Sequence, residues 1–331
     1  MLNMTERLLI AIAIAIAIAV LAAALPAQVL GQDFPTRPIR IISPSAPGGI
    51  TDLVARLIGD RMAQSLKVPV IVENKPGGTG AIALDAVAKA VADGYTLVVG
   101  FSGANVIYPL LNPKLPFNAQ KDFTPIANVF TGSNVLVVHP SVPVNNYREF
   151  IAYVRAQPRP PSYGSWGPGS GGHLAGEFLK MLTKADMVHV PYKSTTALTT
   201  DLVGGHMQLA FLDSFNAIVQ ARSGKLRAVA QAGPKRSPML PNVPTLEEEG
   251  VPFATGPWIG FFGPANLPRA IVTRLNAEIG QVLRAPDLAE RWLTITGFAP
   301  TPGSAEDFER LIAGEWDIWK KVIAEAKIRL E

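Results

Sequence analysis

The sequence predicts an α/β fold with two doubly wound, mostly parallel sheets, and two observations support this prediction. Short apolar segments alternate with amphipathic segments along most of the 331 residues. The alternation forms two series, separated near residues 131–134, and helical segments return at the end of the chain. The length suffices for two domains, and no repeat occurs at the periods of solenoid proteins.

The first series predicts the order βαβαβ. Three short apolar runs predict strands at 39–42, 68–74 and 95–100. The segment 51–66 has apolar residues at helical spacing, and 80–91 is an alanine-rich helix. This order implies parallel strands that are joined by right-handed crossovers.

The second series begins with a predicted strand at 135–140 and ends before a strand at 258–264. Between them the pattern predicts further strands and helices, at 146–157, 162–165, 173–182, 188–192, 207–213 and 225–232. Three helices follow the last strand, at 268–284, 286–295 and 305–327. In sheets of this kind, ligands bind at the carboxyl ends of the strands.

The composition excludes several classes of function. Apolar residues make up 48% and charged residues 17%, which predicts a sizeable core. The net charge of +4 is spread without a Lys/Arg block, so nucleic acid is not an expected partner. Without cysteine, disulfides, thiolate metal sites and cysteine nucleophiles are excluded. The four histidines lie far apart in the sequence, without the spacing of metal ligands, so a histidine-rich metal site is not expected. We expect no cofactor either.

Residues 1–31 are typical of a secretory signal peptide. Arg7 precedes an apolar stretch over 8–25, and small residues with Pro26 follow it. Cleavage is expected near Ala27 or Gly31. The alternative is a retained membrane anchor, because the apolar stretch approaches the length that spans a bilayer. Either way, the sequence predicts an exported protein.

The loop "SPSAPGGITD" over 43–52 lies between the first strand and the first helix. The start of a helix carries unpaired N–H donors and partial positive charge, and glycine lets a ligand approach them. Such a loop suits an anion without Lys or Arg. The alternative is a structural turn that Thr51 or Asp52 caps. The candidate binding residues here are Ser45, Ala46, Pro47, Gly48 and Gly49.

A second glycine-rich loop, within "YGSWGPGSGGHLAGEF" over 163–178, also connects a strand to a helix. It contains the pattern G-x-G-x-x-G, but the preceding strand is too short for a dinucleotide domain. We expect the two loops to face one cleft and to hold a carboxylate between them. The candidates here are Ser165, Trp166, Gly169 and Ser170.

Four further polar candidates follow predicted strands. Ser102 and Asn105 lie at the carboxyl end of the third strand, and Tyr192 follows the strand near 190. Asp213 ends another strand, where it either binds a ligand amine or a bridging water, or caps the next helix. Direct ligand contact is one interpretation of each, and a structural role is the other.

Several stretches, in order and over nearly the whole chain after residue 31, carry a family resemblance. They include "FPTRPIRIISPSAPGGITDLVARLI", "VIVENKPGGTGAIALDAVAKAVADGYTLVVG", "YGSWGPGSGGHLAGEF", "DLVGGHMQLAF" and "LPNVPTLEEEG". The chain resembles the tripartite tricarboxylate transporter substrate-receptor family, also called Bug-type periplasmic binding proteins.

The resemblance implies a two-lobed periplasmic binding protein, a type II-like Venus flytrap that binds small carboxylates. In the family, the two loops hold a ligand carboxylate through backbone amides, hydroxyls and ordered waters. The implied lobes are 32–132 with 254–331, and 133–253. A monomer that delivers its ligand to two integral membrane transporter subunits is expected, and not an enzyme.

The chain also departs from the family pattern, because Trp166 stands where a smaller residue is common. Trp166 either shrinks the pocket or stacks on an aromatic ring, and Phe101 and Tyr108 either add to an aromatic wall or pack in the core. We therefore expect an aromatic or otherwise flat carboxylate. Two alternatives stay open: a carboxylate sensor that acts through a signalling partner, and a secreted hydrolase that uses Ser170.

Overall fold

A computed structural model of the chain describes residues 34–253 and 255–329. The predicted signal peptide over 1–31 lies outside these residues. Within them, no helix has both the length and the apolar character needed to cross a membrane.

The first of two five-stranded sheets has the order β2-β1-β3-β10-β4. Its strands are β1 (Ile39–Ser43), β2 (Val70–Asn74), β3 (Thr96–Phe101), β4 (Phe123–Thr131) and β10 (Trp258–Pro264). β1 pairs in parallel with β2 and β3, whereas β10 pairs antiparallel with β3 and β4.

The second sheet has the order β7-β6-β8-β5-β9. Its strands are β5 (Asn134–Val138), β6 (Ser162–Ser165), β7 (Val188–Pro191), β8 (Leu209–Asp213) and β9 (Arg227–Ala232). β6 pairs in parallel with β7 and β8, and β5 pairs antiparallel with β8 and β9.

The predicted α/β fold with two sheets is confirmed, but each sheet is mixed rather than mostly parallel. In each sheet, the strand that pairs antiparallel on both sides is the first one after the chain crosses from the other sheet. These strands are β5 and β10. Among the described residues, the segment that leads into each of these strands contains no helix, unlike the helical crossovers that join parallel neighbours. Each strand can therefore run in the opposite direction.

The α-helices are α1 (Ile50–Leu66), α2 (Ala81–Ala88), α3 (Tyr108–Leu111), α4 (Tyr147–Ala156), α5 (Gly171–Thr183), α6 (Thr195–Val203), α7 (Ser214–Arg222), α8 (Arg269–Leu283), α9 (Pro286–Thr296) and α10 (Ala305–Glu325). The seven helices predicted with bounds agree with the structure to within a few residues, whereas α3 was not predicted and α6 and α7 were not given bounds. Strand β4 was not predicted. It contains Pro125 and lies at the sheet edge, where a missing N–H is tolerated and the apolar pattern is weak.

The chain crosses between the sheets at two places that touch each other. The first crossing joins β4 to β5 through Gly132, whose N–H donates to the carbonyl of Pro257 in the second crossing at 2.7 Å. A Cβ atom on Gly256 would clash with the carbonyl oxygen of Gly132, so only glycine allows this approach. The two crossings therefore lie side by side between the sheets.

The C-terminal helix α10 contacts elements of both sheets. It packs against β4 of the first sheet and against α5, which packs on the second. On α10, buried Trp319 makes an edge-on contact with Phe178 of α5, with ring centroids 6.0 Å apart. This long helix thus joins the cores of the two sheets next to the crossings.

Candidate functional site

The first glycine-rich loop is held by one buried carboxylate. Asp52, which is 2% exposed, accepts hydrogen bonds from the Gly48 N–H at 2.9 Å and the Asn74 amide at 2.7 Å, and it pairs with Arg56 at 3.0 Å. Burial alone would raise the pKa of Asp52. The hydrogen bonds from Arg56, Gly48 and Asn74 outweigh burial and hold the pKa below its usual 3.8. The loop is therefore fixed around an ionised group.

Three hydroxyl groups meet beneath this loop. The Ser45 Oγ lies 2.7 Å from the Thr51 Oγ1, and the Ser43 Oγ lies 3.2 Å from the same atom. Ser45 also accepts the N–H of Asp52 at 3.3 Å, so it satisfies a first-turn donor of α1 that Gly49, at the N-cap, cannot. Ser45 lines the cleft described below, and its contacts with Thr51 and with the N–H of Asp52 fix the orientation of its hydroxyl.

The two glycines of this loop present fewer free amides than the sequence suggests. The Gly48 N–H donates to Asp52, and the Gly49 N–H donates to the Ala46 carbonyl at 3.0 Å. Gly48 has φ +84°, a left-handed conformation that favours glycine. Because α1 begins at Ile50, the backbone donors without a partner inside the helix belong to its first turn. The amides of the two glycines already have partners within residues 46–52.

The second loop is organised by serines. The Ser165 hydroxyl donates to the Gly167 carbonyl at 3.1 Å, and the Ser170 hydroxyl donates to the Ser165 Oγ at 3.2 Å. Ser170 caps α5 by accepting the N–H of His173 at 3.3 Å. Ser165 is fully buried, so it supports the loop from within the protein.

Two stacked imidazoles lie behind this loop. The rings of His173 and His189 are parallel within 7°, with centroids 3.7 Å apart. The Gly169 N–H donates to the His173 Nδ1 at 3.1 Å, and the His189 Nε2 lies 2.7 Å from the Ser165 Oγ. Burial, helped by the charge of Lys180, lowers the pKa of His173 to about 4. Burial and then His173 lower the pKa of His189 to about 4, so both rings are neutral near pH 7.

Trp166 lies across the N-terminus of α5. Its ring is so close to Gly172 that a Cβ atom there would lie 2.6 Å from it, and a Cβ on Gly171 would lie 3.4 Å away. The two glycines thus allow the indole to lie flat against the first turn of the helix. Trp166 therefore forms a wall next to the helix start.

The two loops border one continuous cleft. Two cavities of about 900 Å³ and about 430 Å³ lie between the sheets and have seven lining residues in common: Thr79, Phe101, Ser102, Trp166, Asp213, Ser214 and Pro257. Ser45 and Gly48 line the larger cavity, and Gly169 and Ser170 line the smaller one. The structure thus brings seven predicted site residues to the cleft: Ser45, Gly48, Ser102, Trp166, Gly169, Ser170 and Asp213.

The other six predicted residues are not among the lining residues. Ala46 and Pro47 are exposed, and Gly49 packs against the Ser45 side chain. Asn105 is buried and accepts the N–H of Phe101 at 3.1 Å. Ser165 lies inside the protein, and Tyr192 donates its hydroxyl to Asp201 at 2.8 Å. Direct contact of these six residues with a ligand stays a prediction.

Asp213 has the capping role that the sequence left open to it, and its contact with a ligand stays a prediction. It caps α7 by accepting the Asn216 N–H at 3.0 Å, and it also lines both cavities. Phe101 lines both cavities as well, and Tyr108 lines the smaller one, so both belong to an aromatic wall.

Sequence reasoning missed a third glycine-rich segment at the cleft. Thr79 and Gly80 line the larger cavity within a run of four residues, 77–80, that all have positive φ. The pattern "PGGTG" over 76–80 could have indicated a glycine-rich loop here. Phe130, Phe215 and Trp258 were also missed, because they come from three separate elements whose meeting depends on the crossings between the sheets.

Residues 54–328 match the family described as Tripartite tricarboxylate transporter family receptor. The chain belongs to this family. BugT of Bordetella pertussis is 34% identical over 312 residues, which cover 93% of this chain and 95% of that protein.

Two solved structures with ligands are similar to this chain. One is a protein of R. palustris with adipate, which is 32% identical with a TM-score of 0.72 and covers 89% of this chain and 99% of its own. The other is MatC from Rhodopseudomonas palustris with bound malate, which is 34% identical with a TM-score of 0.68 and covers 88% of this chain and 100% of its own. The family resemblance drawn from the sequence is confirmed.

Proposed function

We propose that this protein is an extracytoplasmic solute receptor that captures a small carboxylate and delivers it to a tripartite tricarboxylate-type transporter. Membership in the receptor family supports the receptor role. The relatives solved with adipate and malate support the class of ligand. The observation that carries the proposal is the cleft, where hydroxyl groups and helix starts of two loops face one space.

The proposed donors to the carboxylate are uncharged. They are the hydroxyls of Ser45 and Ser102, with the first-turn amides of α1 and α5. Ser170, whose hydroxyl donates to Ser165, caps α5 beside them. A hydrogen bond to a charged group contributes roughly 1.5–3 kcal/mol, and micromolar affinity corresponds to about 8 kcal/mol. Four such bonds reach that value before ordering costs. Gly48, Gly169 and Ser165 keep the donors in place.

The proposed lobes are 32–132 with 254–331, and 133–253. This division agrees with the membership of the strands, because β4 and β10 belong to one sheet and β5 and β9 to the other. The adjacent crossings at Gly132 and Gly256 suit a hinge. Closure of the lobes would exclude water from the carboxylate and create the shape that the membrane subunits bind.

The geometry argues against a hydrolase. In the second loop, the serine that lies near an imidazole is Ser165, and it is fully buried behind the loop. Ser170 faces the cleft, but its hydroxyl donates to Ser165 and accepts the N–H of His173. The imidazole of His173 instead accepts from Gly169 and stacks on His189. No base is thus aimed at the accessible hydroxyl, which supports binding without catalysis.

The cellular setting is part of the proposal. A signal peptide over 1–31 would send a monomeric receptor to the periplasm, where it meets two integral membrane subunits. A pull-down from solubilised membranes, with and without a bound carboxylate, tests delivery. Ligand-dependent recovery of both subunits is expected, whereas recovery of a signalling protein alone would favour the sensor alternative.

A thermal-shift screen with single carboxylates tests the binding function. A ligand at about 100 times its Kd should add about 2.7 kcal/mol to the free energy of unfolding. We expect Ser45→Ala to lose this stabilisation and Ser194→Ala to keep it, because Ser194 caps α6 on an exposed surface. Stabilisation by no carboxylate, or an undiminished effect in Ser45→Ala, would contradict the proposal.

A further inference from the structure

The larger cavity is mostly apolar away from the two loops. Seven large apolar residues that are not fully buried line it: Ile50, Leu53, Phe101, Phe130, Trp166, Phe215 and Ile259. Four of them are aromatic, and they come from elements of both sheets. Trp258 also borders the cavity, but it is 1% exposed and its ring packs on Phe262 and Phe308. A small dicarboxylate held by the polar loops would leave most of this wall without a partner.

Three of these side chains are also exposed on opposite sides of the cavity. Ile50 and Leu53 on α1 are each 39% exposed, and Phe215 on α7 is 53% exposed. Helix α1 packs on the first sheet and α7 on the second. Large apolar side chains that are exposed together at a cavity mark a binding surface. An apolar group placed in the cavity would be covered from both sides.

The charges at the cleft disfavour a second carboxylate. Among the residues that line the two cavities there is no Lys, Arg or His, and one carboxylate, Asp213, is present. The helix starts and hydroxyls can satisfy one carboxylate. A second one would be desolvated without a cation and would lie in the same cleft as Asp213, which is unfavourable.

We propose that the ligand is a monocarboxylate with an apolar body, a phenyl ring or an alkyl chain, that contacts Leu53 from one side and Phe215 from the other. This inference rests on the proposed function, and it adds the substrate class. Ser45, Ser102 and the helix starts hold the acid group, while Phe215 and Leu53 select the body. The class differs from the dicarboxylates malate and adipate that two relatives bind.

Isothermal titration with two series of acids tests the class. The monocarboxylates are butyrate, hexanoate, octanoate and 3-phenylpropionate, and the dicarboxylates are malate and adipate. We expect Kd to fall about three- to fourfold for each methylene added from butyrate to octanoate, because each is buried against apolar wall. Malate or adipate binding tenfold more tightly than 3-phenylpropionate would overturn the inference and leave the proposed function intact. Binding of none of the six acids would overturn both.

A pair of variants on one helix tests the contact. Phe215 lines the cavity, whereas Val219, one turn later on α7, is also exposed at 46% but does not line it. Phe215→Ser is expected to raise the Kd of 3-phenylpropionate about tenfold, which is the loss of one well-buried contact. Val219→Ser is expected to change this Kd less than twofold. Both positions are on the surface, so both variants are expected to fold.

Each outcome of this pair of variants either supports the inference or contradicts it. A tenfold effect confined to Phe215→Ser supports the inference. Equal effects of both substitutions, or no effect of Phe215→Ser, would overturn it. Leu53→Ser gives an independent check from the first sheet, with Ile71→Ser, exposed on β2 and away from the cavity, as its control.

Discussion

The two glycine-rich loops present similar groups to the cleft but are supported by opposite chemistry. The first loop is fixed by the ionised carboxylate of Asp52, which binds Gly48, Arg56 and Asn74. The second is fixed by two neutral imidazoles, His173 and His189, which stack on each other. One support requires a charge and the other requires that no charge is present.

This difference shows that similar loop sequences do not share one stabilising mechanism. Both loops need glycines and a helix start to present donors. The group that locks each loop differs: Asp52 in the first and His173 in the second, each with a partner from outside the loop, Asn74 and His189 respectively. The loops should therefore respond differently to substitution and to pH.

At pH 7, the largest effect is expected from Asp52→Asn. The amide replaces an acceptor-only group, so an N–H₂ group would face the donors of Gly48, Arg56 or Asn74. We expect the free energy of unfolding to fall by about 2–4 kcal/mol, because a buried, hydrogen-bonded charge is lost. Urea denaturation at pH 7 measures this change.

Asp85→Asn is the matched control for that substitution. Asp85 also pairs with a basic residue four positions later, Lys89, but this pair lies at the surface. Exposed i,i+4 pairs contribute about 0.3–0.5 kcal/mol. Equal losses in both variants would show that Asp52 does not lock the first loop.

A pH-dependent effect is expected from the histidine pair. The folded-state pKa values of about 4 lie below the ordinary value of 6.5, so the unfolded chain binds more protons between these limits. The free energy of unfolding contributed by the pair is thus complete above pH 6.5 and declines by up to about 3 kcal/mol for each ring as pH falls to 4. Urea denaturation at several pH values measures the slope.

The variant His189→Gln isolates this contribution. Burial raises the pKa of Glu315 to about 7, which gives a slope of the opposite sign between pH 4.5 and 7. This slope is present in both proteins and cancels in their difference. A slope unchanged by His189→Gln would refute the role of the neutral pair.

The smallest effect is expected from Ser170→Ala, which removes the N-cap of α5. Loss of such a cap costs about 1 kcal/mol. Ser194→Ala removes the cap of α6 and should cost a similar amount. Titration calorimetry should show weaker carboxylate binding in Ser170→Ala alone, because only Ser170 lines the cleft. Equal affinities in the two variants would remove Ser170 from the binding site.

Most of the fold followed from the sequence, because strands such as 95–100 are apolar runs and helices such as 51–66 have a strong apolar period. Strand β4 did not, since Pro125 interrupts its pattern at a sheet edge. In the site, the two loops were predicted from glycines and helix starts. The use of the Gly48 amide by Asp52 was not, because it depends on a side-chain direction that spacing does not define.

The histidine stack and the apolar wall were beyond sequence reasoning for another reason. His173 and His189 come from a helix and a separate strand, and Phe130, Phe215 and Trp258 come from three elements. Their proximity depends on strand order and on how the crossings place the sheets. Local patterns carry no information about either.

A crystal structure with 3-phenylpropionate bound tests the central claim most directly. The account predicts that the carboxylate accepts hydrogen bonds from residues 45–51 of one loop and 166–171 of the other, at about 2.7–3.2 Å. The phenyl ring should lie against Phe215. A carboxylate paired with a Lys or Arg side chain, or bound outside the cleft between these loops, would contradict the account.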